Sequence, residues 1–184
     1  CFLSWKNVWH AYGNSQSYAL LLAGETLENN DYIESALLEI KYFYPFLMQR
    51  QFLAAFSITR VESEYRIENE KQFSQIAYDI RPMVWASLKA FKITGDSSYA
   101  KQAGELSSWF FGKNITGKSL YDPNSGRCYD GINDQDTINK NSGAESTIEA
   151  LLTIQAVEQN RISRDMVRIF YKKSKHSDRN ETYK

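Results

Sequence analysis

Three carboxylates in this sequence stand where acid–base chemistry could use them. Glu145 ends the run Asn139-Lys140-Asn141-Ser142-Gly143-Ala144-Glu145, just ahead of an apolar stretch. Asp79 lies two residues before Arg81, and Asp130 sits in a segment rich in Gly, Asn and Asp. Breaking a glycosidic bond takes one carboxylic acid to protonate the leaving oxygen and a second carboxylate as base or nucleophile, roughly 5–9.5 Å apart. Glu145 is the candidate acid, with Asp130 or Asp79 as its partner. Candidate ligand-binding residues are Trp9, His10, Tyr12, Asn14, Tyr78, Arg81, Tyr121, Arg127, Tyr129 and Asn141. Aromatic faces stack on sugar C–H surfaces, while amides and carboxylates bind hydroxyls in pairs.

Each of these residues also has a plain structural reading. Ser142-Gly143-Ala144-Glu145 has capping-box spacing, so Glu145 can serve as a helix cap. Asp130 precedes Gly131 and can be a turn former. His10, beside Trp9, can be a packed ring. Glu149, one turn beyond Glu145, reads as a helix-face charge.

An internal repeat supplies the elements that must position these groups. A shift of 67 residues pairs Ala19 with Ala86, Leu21 with Leu88 and Ala23 with Ala90. The same shift pairs Tyr32 with Tyr99, Ala36 with Ala103 and Tyr42-Phe43-Tyr44 with Trp109-Phe110-Phe111. A third copy of the leading helix places Ala150, Leu152 and Ile154 under Ala86, Leu88 and Ala90, 64 residues on. Each unit reads as helix, turn, helix. The leading helices are predicted over about 14–28, 75–93 and 142–159, and the second ones over about 31–49, 97–111 and 163–173. Asp31 or Asp96 can cap the second helices, and Pro82 starts or kinks the middle leading helix. Residues 50–68, with the alternation Phe56-Ser57-Ile58-Thr59-Arg60-Val61, form a strand pair or an extended loop; 112–141 form a long polar loop.

Stacking such hairpins gathers the amino ends of the leading helices on one face. Asn14, Arg81 and Glu145 are equivalent in the repeat, as are Tyr12, Asp79 and Gly143. These positions therefore converge, and helix starts offer free N–H groups and a positive dipole end.

Composition narrows the function classes. Lys+Arg and Asp+Glu both number 22, which argues against nucleic acid as partner. No apolar run reaches the length of a membrane span. The two cysteines, Cys1 and Cys128, make neither a disulfide framework nor a metal-spaced cluster, and no cofactor or metal is called for. The chain opens at Cys1 without Met, which reads as processing or truncation. We expect one domain over 1–184, with a polar tail over 174–184.

Several of these runs resemble a family. Trp9-His10-Ala11-Tyr12-Gly13-Asn14-Ser15-Gln16 ahead of an Ala/Leu helix looks like the inner-helix start of the six-hairpin glycosidases. Ile93-Thr94-Gly95-Asp96-Ser97-Ser98-Tyr99-Ala100 and Trp109-Phe110-Phe111-Gly112-Lys113-Asn114 resemble their hairpin link and the loop after it. The stretch ending at Glu145 is similar to the place where some endoglucanase-like members carry a general-acid Glu. The resemblance covers about residues 5–160. It implies an all-α fold, stacked α-hairpins forming part of an (α/α)6 toroid, and a carbohydrate substrate cleaved with Glu145 as proton donor. Three hairpins are half of such a ring, so the remainder is an absent N-terminal half, a second chain or nothing at all. A self-associating surface is the matching expectation. The rival functions are a non-catalytic helical-repeat module that binds protein or glycan, and a sugar epimerase or isomerase using His10.

Overall fold

The computed structural model describes residues 1–181, with side chains described as far as Tyr171. The side chains of the polar tail, and residues 182–184 altogether, lie outside the described residues.

The helices follow the apolar spacing. α1 (Ser15–Thr26) turns into α2 (Asn30–Leu38), which runs through a π-helical stretch, Glu39–Phe43, into α3 (Tyr44–Gln49). α4 (Arg81–Thr94) turns into α5 (Ser97–Ser107), and α6 (Ala144–Glu158) into α7 (Arg161–Glu181). Within each pair the helices pack on one another. α4 also packs between α1 and α6, while α5 packs on α7. Local chemistry ends and starts them. Asn29 Oδ1 caps α2 by accepting from Tyr32 N–H at 3.3 Å, and Asp96 Oδ1 caps α5 by accepting from Ser98 N–H at 2.8 Å. Gly95 closes α4 at φ +73°, a left-handed conformation that costs glycine little. Pro82 falls in the first turn of α4, where its missing N–H costs nothing, so the helix begins at Arg81 rather than kinking.

The all-α expectation is overturned, for the fold is mixed α+β. Among the described residues, eight strands form three antiparallel sheets between the helices. β1 (Val8–His10), β2 (Ala55–Val61) and β3 (Glu64–Lys71) make one sheet in that order. β4 (Gln75–Ile76), β7 (Gly131–Ile132) and β8 (Ile138–Asn139) make the second, and β5 (Tyr121–Asp122) pairs with β6 (Arg127–Cys128). The physical reason lies in the backbone. Segments that approach helix starts are partly buried, and their N–H and C=O groups must be met, which strand pairing does. Residues 75–79, expected inside the leading helix, instead form β4 and a short 3-10 turn, Ala77–Asp79. The toroid expectation falls with the all-α one.

A single core joins these pieces. Trp9, Phe56 and Phe43 make one aromatic group, with Trp9 stacked on Phe56 at 5.0 Å and edge-on to Phe43 at 5.2 Å. Trp109 and Phe110 are fully buried, and Trp109 Nε1 donates to Gln75 Oε1 at 3.3 Å, tying α5's end to β4.

The close approach of α5 to α7 depends on a glycine. A Cβ on Gly104 in α5 would lie 2.5 Å from the Ser163 carbonyl oxygen and 2.7 Å from Met166 Cβ in α7. Gly104→Ala should therefore lower stability by about 1–3 kcal/mol, overriding the gain of up to about 1 kcal/mol in helix propensity. A urea midpoint equal to or above that of the wild type would show the contact to be slack.

Candidate active site

Three helix starts meet at one place, and polar bonds hold them there. Ahead of α1, a 3-10 turn over Ala11–Asn14 buries Asn14, whose Nδ2 donates to the Asp79 carbonyl at 3.0 Å. Ahead of α4, Asp79 Oδ2 accepts from Ile76 N–H at 3.0 Å, closing its own turn. At α6, Asp130 N–H donates to the Asn141 carbonyl at 2.8 Å, and Ala77 N–H donates to the Asp130 carbonyl at 3.3 Å. Arg81 Nε forms an ion pair with Glu149, linking α4 to α6. The guanidinium also lies 4.5 Å from the Trp85 ring centre and 5.8 Å from that of Tyr78. Tyr12 meets Tyr78 edge to face at 6.0 Å on the rim.

Asp130 belongs to the scaffold. Its Oδ1 accepts from Gly143 N–H at 2.8 Å and from Ser146 Oγ at 2.5 Å. It thus supplies from a distance the cap that Ser142 was expected to give. The N-cap of α6 is Gly143, and the capping box read at Ser142–Glu145 does not form. Glu145 is exposed in the first turn of α6, with no hydrogen bond or ion pair among the described residues.

Asp79 has the opposite environment. It is 6% exposed, and its Oδ1 has no hydrogen-bond partner among the described residues. Burial, aided by the nearby Glu145 charge and opposed by the Ile76 N–H, pushes its pKa up to about 7. The neighbouring Asn14 is 4% exposed, with its Oδ1 likewise unpartnered among the described residues.

A cavity of about 350 Å³ opens beside Asp79. Its wall includes His10, Tyr12, Lys71, Phe73, Ser74 and Asp79. His10 Nδ1 accepts from Tyr12 N–H at 3.2 Å, which leaves Nε2 for a ligand. Burial, aided by the Lys71 charge, holds His10 below the usual histidine range. Among the described residues, no three His, Cys, Asp or Glu side chains gather in a way that could hold a metal ion.

The structure brings together His10, Tyr12, Asn14, Tyr78, Asp79, Arg81 and Glu145. Others of the expected set lie elsewhere. Trp9 is 1% exposed in the aromatic core and offers no face to a ligand. Tyr121 and Tyr129 line a different groove, between the β5–β6 hairpin and α7, and Arg127 is exposed on β6. Asn141 contributes its backbone carbonyl to the scaffold, with its side chain exposed. Lys71, Phe73 and Ser74 escaped sequence reasoning, because they reach the cavity through the pairing of β3 with β2, which no local pattern announces. Glu149 had a local signal, its i+4 spacing from Glu145, but its partner Arg81 comes from another helix.

No family model matches the chain, and no curated protein matches it. The likeness to the six-hairpin glycosidases is thereby overturned. The motifs that carried it are short, and the sheets set between the helices do not belong to an all-helical ring.

The Asp130 clamp is open to test. Asp130→Ala should cost about 1–2 kcal/mol, the usual value of a lost helix cap. Amide exchange in the first turn of α6 should quicken while α4 stays protected. Unchanged exchange at Ser146 and Thr147 would show that Asp130 holds nothing.

Proposed function

We propose that this chain is a carbohydrate-active enzyme that hydrolyses a glycosidic bond, with Asp79 as proton donor and Glu145 as the second carboxylate. The observation that carries the reading is the pair itself: one carboxyl buried beside a cavity with a free oxygen, the other exposed at a neighbouring helix start. Hydrolysis of a glycoside needs an acid still protonated at working pH and a partner that is ionised, and environment separates the two roles. Asp79, with its pKa near 7, suits the acid, which reverses the part first given to Glu145. Tyr12 and Tyr78 supply rim aromatics for a sugar face. Catalysis is the arrangement's best use, because a mere binder gains nothing from a buried acid.

His10 supports a second reading. With Nδ1 accepting from Tyr12 N–H, the ring carries its proton on Nε2 in the same cavity, placed to give a proton back to a substrate carbanion, the acid half of an epimerase or isomerase. Product analysis separates the two, since hydrolysis releases a new reducing end and epimerisation does not.

Asp79→Asn and Glu145→Gln should each lower kcat by about 10²–10⁴-fold on a cleaved glycan. Full activity in either variant removes that residue from the mechanism. The acid must be protonated, so kcat/KM should fall as pH rises through about 7. The charged and titratable groups around it are Glu145 on α6, His10 and Tyr12 ahead of α1, and Lys71 on β3. An alkaline limb unmoved in Glu145→Gln would mean that the neighbouring charge does not raise the acid.

Stability should respond in the same window. Folded Asp79 keeps its proton up to about 7 while the unfolded chain loses it near 3.8, so the folded form binds more protons in between. Stability therefore falls as pH rises from 3.8 to about 7, by at most roughly 4 kcal/mol. Asp79→Asn should flatten that slope in chemical denaturation. An equal slope in both proteins would show that Asp79 is not held protonated.

A further inference from the structure

The cations around the site are nearly all committed. Arg81 pairs with Glu149, Arg50 with Glu70 at 2.5 Å, and Lys89 with Glu25. Lys71 has no ion-pair partner among the described residues, yet it lines the cavity beside Asp79. Its backbone is fixed, since its carbonyl accepts from Ala54 N–H at 2.7 Å and it pairs with Ala55 across the sheet. The ammonium is therefore delivered to the cavity wall by a strand end rather than by a wandering loop. Charges in the cavity sum in one direction. Burial and the Lys71 charge lower the His10 pKa, and burial raises that of Asp79, so a negative charge on the carboxyl is disfavoured there. Ser74 and Tyr12 contribute hydroxyls at the same wall, and Phe73 an apolar face.

We infer that this cavity is a subsite for an anionic substituent of the sugar, a carboxylate or a sulfate, held against the Lys71 ammonium with Ser74 and Tyr12 beside it. The inference rests on the carbohydrate reading of the same rim. A cation without an ion-pair partner among the described residues, with a serine and a tyrosine on the same wall, suits an oxyanion, for the ammonium neutralises charge and the hydroxyls donate hydrogen bonds. A neutral sugar would use only the hydroxyls and leave the ammonium to water.

Calorimetric titration with three trisaccharides tests this: one of uronic acid, one sulfated, one neutral. Wild-type protein should bind at least one acidic trisaccharide about tenfold or more tightly than the neutral one, a preference that shrinks as salt rises. Which acidic sugar wins identifies the anion. Lys71→Met should abolish the preference and leave neutral-sugar affinity within about twofold, while Lys71→Arg keeps the preference. The Lys71 side chain is exposed, so thermal unfolding should not change in either variant. A preference that survives Lys71→Met, or a neutral sugar bound best, overturns the subsite and leaves the hydrolase standing. Loss of the preference in Lys71→Met without turnover of any sugar upholds the subsite and removes the hydrolase. Wild-type protein that binds none of the three overturns both.

Discussion

Everything at the site depends on one constraint: the backbone groups at three helix starts are buried together and must find partners in one another. The Asp79 carbonyl is met by the Asn14 amide, the Asp130 carbonyl by Ala77 N–H, and the Asn141 carbonyl by Asp130 N–H. Each such bond is worth only about 1 kcal/mol net, but an orphaned buried partner costs about 1–3 kcal/mol. The set therefore stands or falls together. It also explains why short strands appear where helices and loops were expected. β4, β7 and β8 are the shortest way to satisfy the chain between the start of α4 and the start of α6. Close approach is part of that solution. A Cβ on Gly131 in β7 would lie 2.1 Å from the Gln75 carbonyl oxygen, so only glycine lets β7 lie against β4 there.

Against that background the polar atoms left unmet stand out. Asn14 Oδ1 and Asp79 Oδ1 are buried and unpartnered among the described residues, on two helix starts that touch. Native interiors rarely leave such groups bare, and where they do a ligand or water is the usual partner. Both are acceptors as drawn. The raised pKa of Asp79 makes it a donor instead over most of the acid and neutral range. Asp79 is destabilising for the fold when ionised, and local rules are broken in this way chiefly where a site needs it.

How far the sequence could be read follows from the range of each signal. Helix spacing is local, and it marks α1, α4 and α6 and their second helices. The β2–β3 hairpin was partly legible, for the alternation over 56–61 reads as a strand pair or an extended loop, whereas its turn and face and the other two sheets were not. Two-residue strands such as β4 and β7 cannot show a period of two. The longer hairpin of β2 and β3 turns at Glu62 with φ +56°, without the Asn-Gly or Asp-Gly pair that marks such turns. β3 is exposed at every position, so it carries no apolar alternation to betray its face. The same limit governs the site. The convergence of Asn14, Asp79, Arg81 and Glu145 follows from the repeat, but their roles do not. Trp9 and Tyr12 look equivalent in sequence, yet one is core and the other rim. Asp130 and Asp79 are both turn aspartates, yet one caps a helix and the other is left with a free oxygen. Burial decides these roles, and burial is set by partners distant in the chain.

Division of labour between helices and hairpin is the last consequence. Asp79 and Glu145 stand at the starts of packed helices, anchored by caps and cross-helix bonds, so their separation changes little with substitutions on the surface. Lys71, Phe73 and Ser74 come from the end of β3 and the turn beyond it, on a sheet edge that is solvent-exposed along its length. The irregular register between Ala55 and Ser57 places Lys71 opposite Ala55, and loss of that bulge would turn the ammonium to the other face of the sheet. On the proposed reading, the acid pair stands at helix starts and the anion-holding group at a strand end. On that reading a change of substrate charge requires changes at the strand end alone, and the acid pair can remain as it is.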